Sequence, residues 1–144
     1  MLLTEDQAPI VKTLQLEILD KLDLREWRLA IIESAVLFET WINIFLRSCY
    51  SNSGLNDSDI EDKFVKNDRY RSPLSAYAMA KNLILDSIGF DFGKTAEFSN
   101  WGKYARDVRN DIVHGKKFIA SEEEAKKAYK AVMDAISLIN NNVS

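Results

Sequence analysis

Arg109, Asn110 and His114 are the residues of this chain best suited to chemistry. They lie in the stretch Arg109-Asn110-Asp111-Ile112-Val113-His114-Gly115, which holds the only histidine in 144 residues. An imidazole takes or gives a proton near neutral pH. A guanidinium offers planar paired donors to a phosphate and keeps its charge. An asparagine can hold the scissile group or the imidazole in place. Those are parts needed to cleave RNA without a metal. A base takes the 2′-hydroxyl proton, the oxygen attacks the adjacent phosphate, and arginine stabilises the added charge. An acid is also needed for the leaving 5′-oxygen, and a two-fold dimer would bring a second histidine. The bland alternative is a helix-terminal histidine that complements the dipole and bonds a free carbonyl.

On an ideal wheel of 100° per residue, Trp101, Ala105, Val108 and Ile112 form the core stripe of the helix that carries these residues. Arg109, Asn110 and His114 are expected on the flank away from that stripe, with Arg106 beside them. Val113 is apolar within this polar arc, which points to a face that packs against a second subunit.

Composition frames the rest. Apolar residues make up 47% of the chain, with only five glycines and two prolines. So few turn formers favour long helices over an all-β fold. One all-α domain spanning 1–144 is expected, an up-and-down bundle of about five to six helices. Cys49 is the only cysteine, so neither an internal disulfide nor a Cys/His zinc set is expected, and neither is any metal or cofactor. The N-terminus carries no basic region followed by a long apolar stretch, and Glu33, Glu39 and Asn43 interrupt the longest apolar run. A cytoplasmic chain outside the membrane is expected. The net charge of −3 argues against non-specific coating of nucleic acid. Residues 101–118 are nevertheless locally basic, with Lys103, Arg106, Arg109, Lys116 and Lys117 against Asp107 and Asp111. That window is either a solvated helix face or an anion site, with Lys103, Lys116 and Lys117 as candidate substrate contacts.

Periodicity predicts helices over about 5–22, 24–49, 58–66, 73–88, 95–113 and 121–139. Asp23 is expected to cap the second, Pro73 to enter the fourth, Gly115 to end the fifth, and Ser121 with Glu124 to form a capping box on the last. Residues 89–94 read as a loop and residues 140–144 as a frayed tail. The second helix is apolar nearly all round and so is buried on more than one side. Its polar exceptions, Glu39, Asn43 and Arg47, step at i+4. They form either a structural ladder or a set in which Glu39 or Asn43 orients groups at a site.

The pattern as a whole resembles the HEPN superfamily (higher eukaryotes and prokaryotes nucleotide-binding). That family's hallmark is an arginine four to six residues before a histidine, often with a polar residue directly after the arginine. WGKYARDVRNDIVHG resembles its motif helix and ASEEEAKKAYKAVMDAISLI its closing helix. DLREWRLAIIESAVLFETWINIFL resembles its early apolar helix with an embedded glutamate, here Glu39. The likeness covers about residues 5–140. It implies a metal-independent endoribonuclease, in many members a toxin or abortive-infection effector, working as a homodimer with two motifs facing one cleft. Arg109 and His114 match the catalytic pair, and Asn110 matches the polar position. It also implies an RNA substrate, with an antitoxin or a nucleotidyltransferase as a partner. Other members are non-catalytic modules that bind a nucleotidyltransferase, another protein or a nucleotide.

Overall fold

In the computed structural model, which describes residues 8–143, the chain is all-helical. Six helices follow in order: α1 (Ala8–Asp23), α2 (Trp27–Asn52), α3 (Asp57–Lys63), α4 (76–88), α5 (96–113) and α6 (Glu122–Asn141). The expected helical bundle is observed. Three starts differ from the sequence reading. Asp23 ends α1 rather than capping α2, and Arg25 turns the chain at φ +60°. Pro73 precedes α4, pairing with Val65 in an isolated antiparallel bridge, while Ser75 caps the helix. Asn56 caps α3 by accepting the Asp59 amide at 2.8 Å, one residue earlier than expected. The α1 start expected at residue 5 lies outside the described residues. The last helix continues to Asn141, beyond the expected fraying point.

α2 is the axis of the bundle, and α1, α3, α4, α5 and α6 all pack against it. It is long and apolar enough by composition to cross a membrane. In the fold its apolar surface is spent on neighbouring helices: Ile31, Leu37, Phe38, Trp41, Ile42, Phe45 and Leu46 are fully buried. α6 packs against it and buries Ala125, Ala128, Ala131, Val132, Ala135, Ile136 and Ile139. The capping box forms as expected: Ser121 Oγ accepts the Glu124 amide at 3.1 Å, and Glu124 accepts the Ser121 amide at 3.0 Å. Residues 89–94 are more ordered than a plain loop. Phe92 is fully buried at the start of a 3₁₀ turn, Phe92–Lys94.

Two helices depart from α-helical geometry. α4 holds a π-helical turn at Met79–Leu83 and α5 holds one at Gly102–Arg106. In α5 the Asp107 amide bonds back to the Gly102 carbonyl, five residues away. Each such turn takes in one extra residue, which sets every later position back by about 100° on the wheel. Up to the π turn α5 lies against α6; beyond it, Asp107–Val113 lies against α2.

A polar knot ties α2, α3 and α4 together. Tyr50 Oη donates to Asp86 Oδ2 at 2.7 Å, and Lys63 donates to the same oxygen at 3.1 Å. Burial, then the bond to Asp86, pushes the Tyr50 phenol up. The Tyr50 hydroxyl and then Lys63 hold the Asp86 carboxyl below its ordinary value. A depressed carboxylate stabilises the fold fully above its unfolded value and loses that contribution as pH falls through its folded value. The wild type should therefore lose stability relative to Asp86→Asn on going from pH 7 to below about pH 4. Urea midpoints of both chains at pH 7, 5, 4 and 3 check this; parallel curves would refute it.

Candidate functional site

The π turn of α5 changes where the three candidate residues point. They do not share one outer flank. Arg109 is turned back toward α2 and its side chain is only 21% exposed. Its Nη2 donates to Glu39 Oε1 at 2.6 Å, and its Nε donates to Asn110 Oδ1 at 3.0 Å. Glu39 thus leaves the i+4 ladder expected along α2. Only its lower rung forms, where Arg47 Nε donates to Asn43 Oδ1 at 2.8 Å. The alternative role for Glu39 is the observed geometry, since this carboxylate fixes the guanidinium of the motif helix. Two of the five N–H donors of Arg109 are used in these bonds, and its fork can still meet an oxyanion.

Arg109 and Asn110 form one wall of a groove of about 500 Å³. Glu39 and Asn43 from α2 line it, as do Arg106 from the π turn and residues 74–77 and Met79 around the start of α4. Both π turns contribute to the lining, through Met79 and Arg106. π turns recur at functional sites because they turn side chains out of the regular helical register.

His114 lies outside this groove. It ends α5, its amide donating to the Asn110 carbonyl at 2.9 Å, and its side chain is exposed. Gly115 follows at φ +74°, the left-handed conformation that terminates a helix and that side chains disfavour. The structural reading of His-Gly as a helix stop is correct, and it leaves the imidazole free to face outward. Val113 is 55% exposed, as the wheel anticipated.

The three candidate lysines do not line the groove. Lys103 is exposed on the other side of the π turn, its Nζ 5.2 Å from the Tyr104 ring centre. Lys116 is exposed in the connection to α6. Lys117 pairs with Glu124 at 2.8 Å and so braces the α6 N-terminus. Tyr77, Ser75 and Met79 are groove residues that the sequence reading missed. Tyr77 shares the i+3/i+4 apolar spacing of Ala80, Ile84 and Ile88, which marks a helix face but not a groove. Among the described residues, no group of three or more His, Cys, Asp or Glu side chains is gathered to hold a metal ion.

Comparison with protein-family models, with curated proteins and with solved structures finds no match.

Proposed function

We propose that this protein is a HEPN-type, metal-independent endoribonuclease of the cytoplasm, a toxin or abortive-infection effector that acts as a homodimer. The observation that carries the reading is Arg109: a partly buried guanidinium, oriented by Glu39 and Asn110 on the wall of a groove, with a solvent-facing histidine one helical turn further on. Arg109 stabilises the charge of the phosphorane-like transition state, His114 moves the proton, and Asn110 orients both ends of the motif. Arg106 adds positive charge at the rim. The test is RNA cleavage in EDTA by wild type and His114→Ala; equal cleavage by both, or none by either across varied RNAs, would refute it.

The dimer follows from the position of His114. The chain has one histidine, outside the groove that Arg109 lines, whereas the cleavage needs both a base and an acid. A second copy related by a two-fold axis supplies the other imidazole. Apolar side chains near His114 in the sequence are exposed: Val113 at 55%, and Phe118 at 73% and Ile119 at 82%, the last two lining a groove with Trp27 and Leu29. Exposed apolar surface of this kind suits self-association. Light scattering at high micromolar concentration should give twice the chain mass, and Val113→Asp with Ile119→Asp should give a monomer. A monomeric wild type would refute the dimer.

A second reading is a non-catalytic module that binds a nucleotidyltransferase, an antitoxin or a nucleotide. That His114 does not line the Arg109 groove favours it. Co-purification of a partner, with unaltered biology in His114→Ala, would support this reading over the first.

A further inference from the structure

We infer that the groove beside Arg109 seats one nucleotide of single-stranded RNA, with its base stacked on Tyr77 and its phosphate held by Arg106 and Arg109. The choice of ligand class rests on the ribonuclease reading; the placement rests on the geometry. Tyr77 is 37% exposed and lines the groove. An aromatic ring at a groove wall offers a face to any base, and stacking is tolerant of sequence.

The ring is held from behind. Tyr77 meets Phe98 at 5.2 Å between ring centres, Phe98 meets the fully buried Phe92 at 5.6 Å and Trp101 at 5.8 Å, and Trp101 meets Phe38 at 4.6 Å. This aromatic chain runs from the axis of the bundle to the groove wall, so Tyr77 is a braced platform rather than a free surface ring. Two cations lie over the ring: the Arg106 guanidinium carbon is 5.1 Å from the Tyr77 ring centre and Lys81 Nζ is 5.9 Å from it, so a base takes this face as Arg106 turns from the ring to the phosphate. Arg106 is otherwise engaged only by its sequence neighbour Asp107, at 2.9 Å, among the described residues. An exposed pair of this kind contributes little and yields readily to a phosphate.

The rest of the wall also suits a nucleotide. Asn43 and Asn110 each have the side-chain oxygen occupied, by Arg47 and Arg109 respectively, which turns their amide NH₂ groups toward donor roles. Glu39 supplies an acceptor beside them. The volume of about 500 Å³ falls within the range of roughly 300–1,000 Å³ usual for small-ligand sites. An apolar ligand would leave the remaining donors of Arg109 and Arg106 unused, and a bare phosphate would leave the ring unused.

The experiment uses a short 2′-O-methylated oligoribonucleotide, which cannot be cleaved, carrying 2-aminopurine at one position. Wild type, Tyr77→Phe, Tyr77→Leu and Tyr77→Ala are titrated, with thermal melting as a folding control. Wild type and Tyr77→Phe should bind with the same change in 2-aminopurine fluorescence. Tyr77→Leu, which fills the space without a π face, should lose that change and bind about 5- to 150-fold more weakly. Tyr77→Ala should behave like Tyr77→Leu. Displacement by uridine or adenosine monophosphate would identify a site that also takes a free nucleotide; no displacement, with the Tyr77-dependent signal intact, would identify one that takes a nucleotide only within a strand. Absence of binding by wild type, or a Tyr77→Leu chain that binds like wild type, overturns the proposal. The unmethylated strand is assayed for cleavage in parallel. Tyr77-dependent binding without cleavage refutes the ribonuclease reading and keeps the nucleotide site; cleavage that Tyr77→Leu leaves unchanged does the reverse.

Discussion

His114→Ala should cleave RNA about 100- to 10,000-fold more slowly than wild type, the usual contribution of a positioned acid–base group. Its urea midpoint should not move, because the side chain is exposed at a helix end and its removal opens no cavity. That combination separates a chemical role from a structural one. Arg109→Ala should lose about 100- to 1,000-fold, comparable with deleting one oxyanion donor. This variant also leaves the Glu39 carboxylate without its partner, so part of the loss will come with reduced stability. Arg109→Lys should not restore the rate. A lysine keeps the charge, but it lacks the planar fork that reaches Glu39 and Asn110 together and still faces the groove. The double variant His114→Ala/Arg109→Ala should be little worse than the poorer single one, because residues acting in one step are not additive. A His114→Ala chain with wild-type rate would refute the assignment; a lowered midpoint would point to the helix-stop role alone.

Trp101→Ala should have the largest effect on stability, about 3–5 kcal/mol, as expected for an aromatic truncated in a packed core. Trp101 is 1% exposed and touches Phe38 at 4.6 Å and Phe98 at 5.8 Å. The loss is a large part of the roughly 5–15 kcal/mol that holds a domain together. Trp101→Phe should cost far less. The indole nitrogen is buried with no hydrogen-bond partner among the described residues, so removing it relieves an unsatisfied donor while the ring face remains. Urea unfolding checks both variants through a shifted midpoint at constant slope. A Trp101→Ala loss below about 1 kcal/mol would mean that the aromatic chain is not the packing centre. Since Phe98 links Trp101 to Tyr77, the same truncation should also loosen the groove wall.

The class of fold was written in local patterns. Few turn formers, i+4 apolar spacing and the Ser121–Glu124 capping box determine helices without reference to the rest of the chain. Burial of α2 on several sides follows from its apolar surface alone. The ends of helices were less legible. Asp23 and Asn56 are both good cap residues by type, yet Asn56 caps α3 whereas Asp23 ends α1. The groove was legible only in part. Glu39, Asn43, Arg106, Arg109 and Asn110 could be named from type and spacing, but a wheel at 100° per residue places Arg109 on the outer flank. The π turn at Gly102–Arg106 overrides that spacing: it lies against both α6 and α2, and beyond it Asp107–Val113 lies against α2, with Ile112 buried and Val108 partly buried in the core. No local signal marks the extra residue. The sequence by itself determined the helices, their apolar faces and the Arg109–His114 spacing. Tertiary structure alone decided that Arg109 meets Glu39 across 70 residues and that Tyr77 joins them. Those positions depend on the relative rotation of packed helices, which is set by contacts between segments distant in the chain.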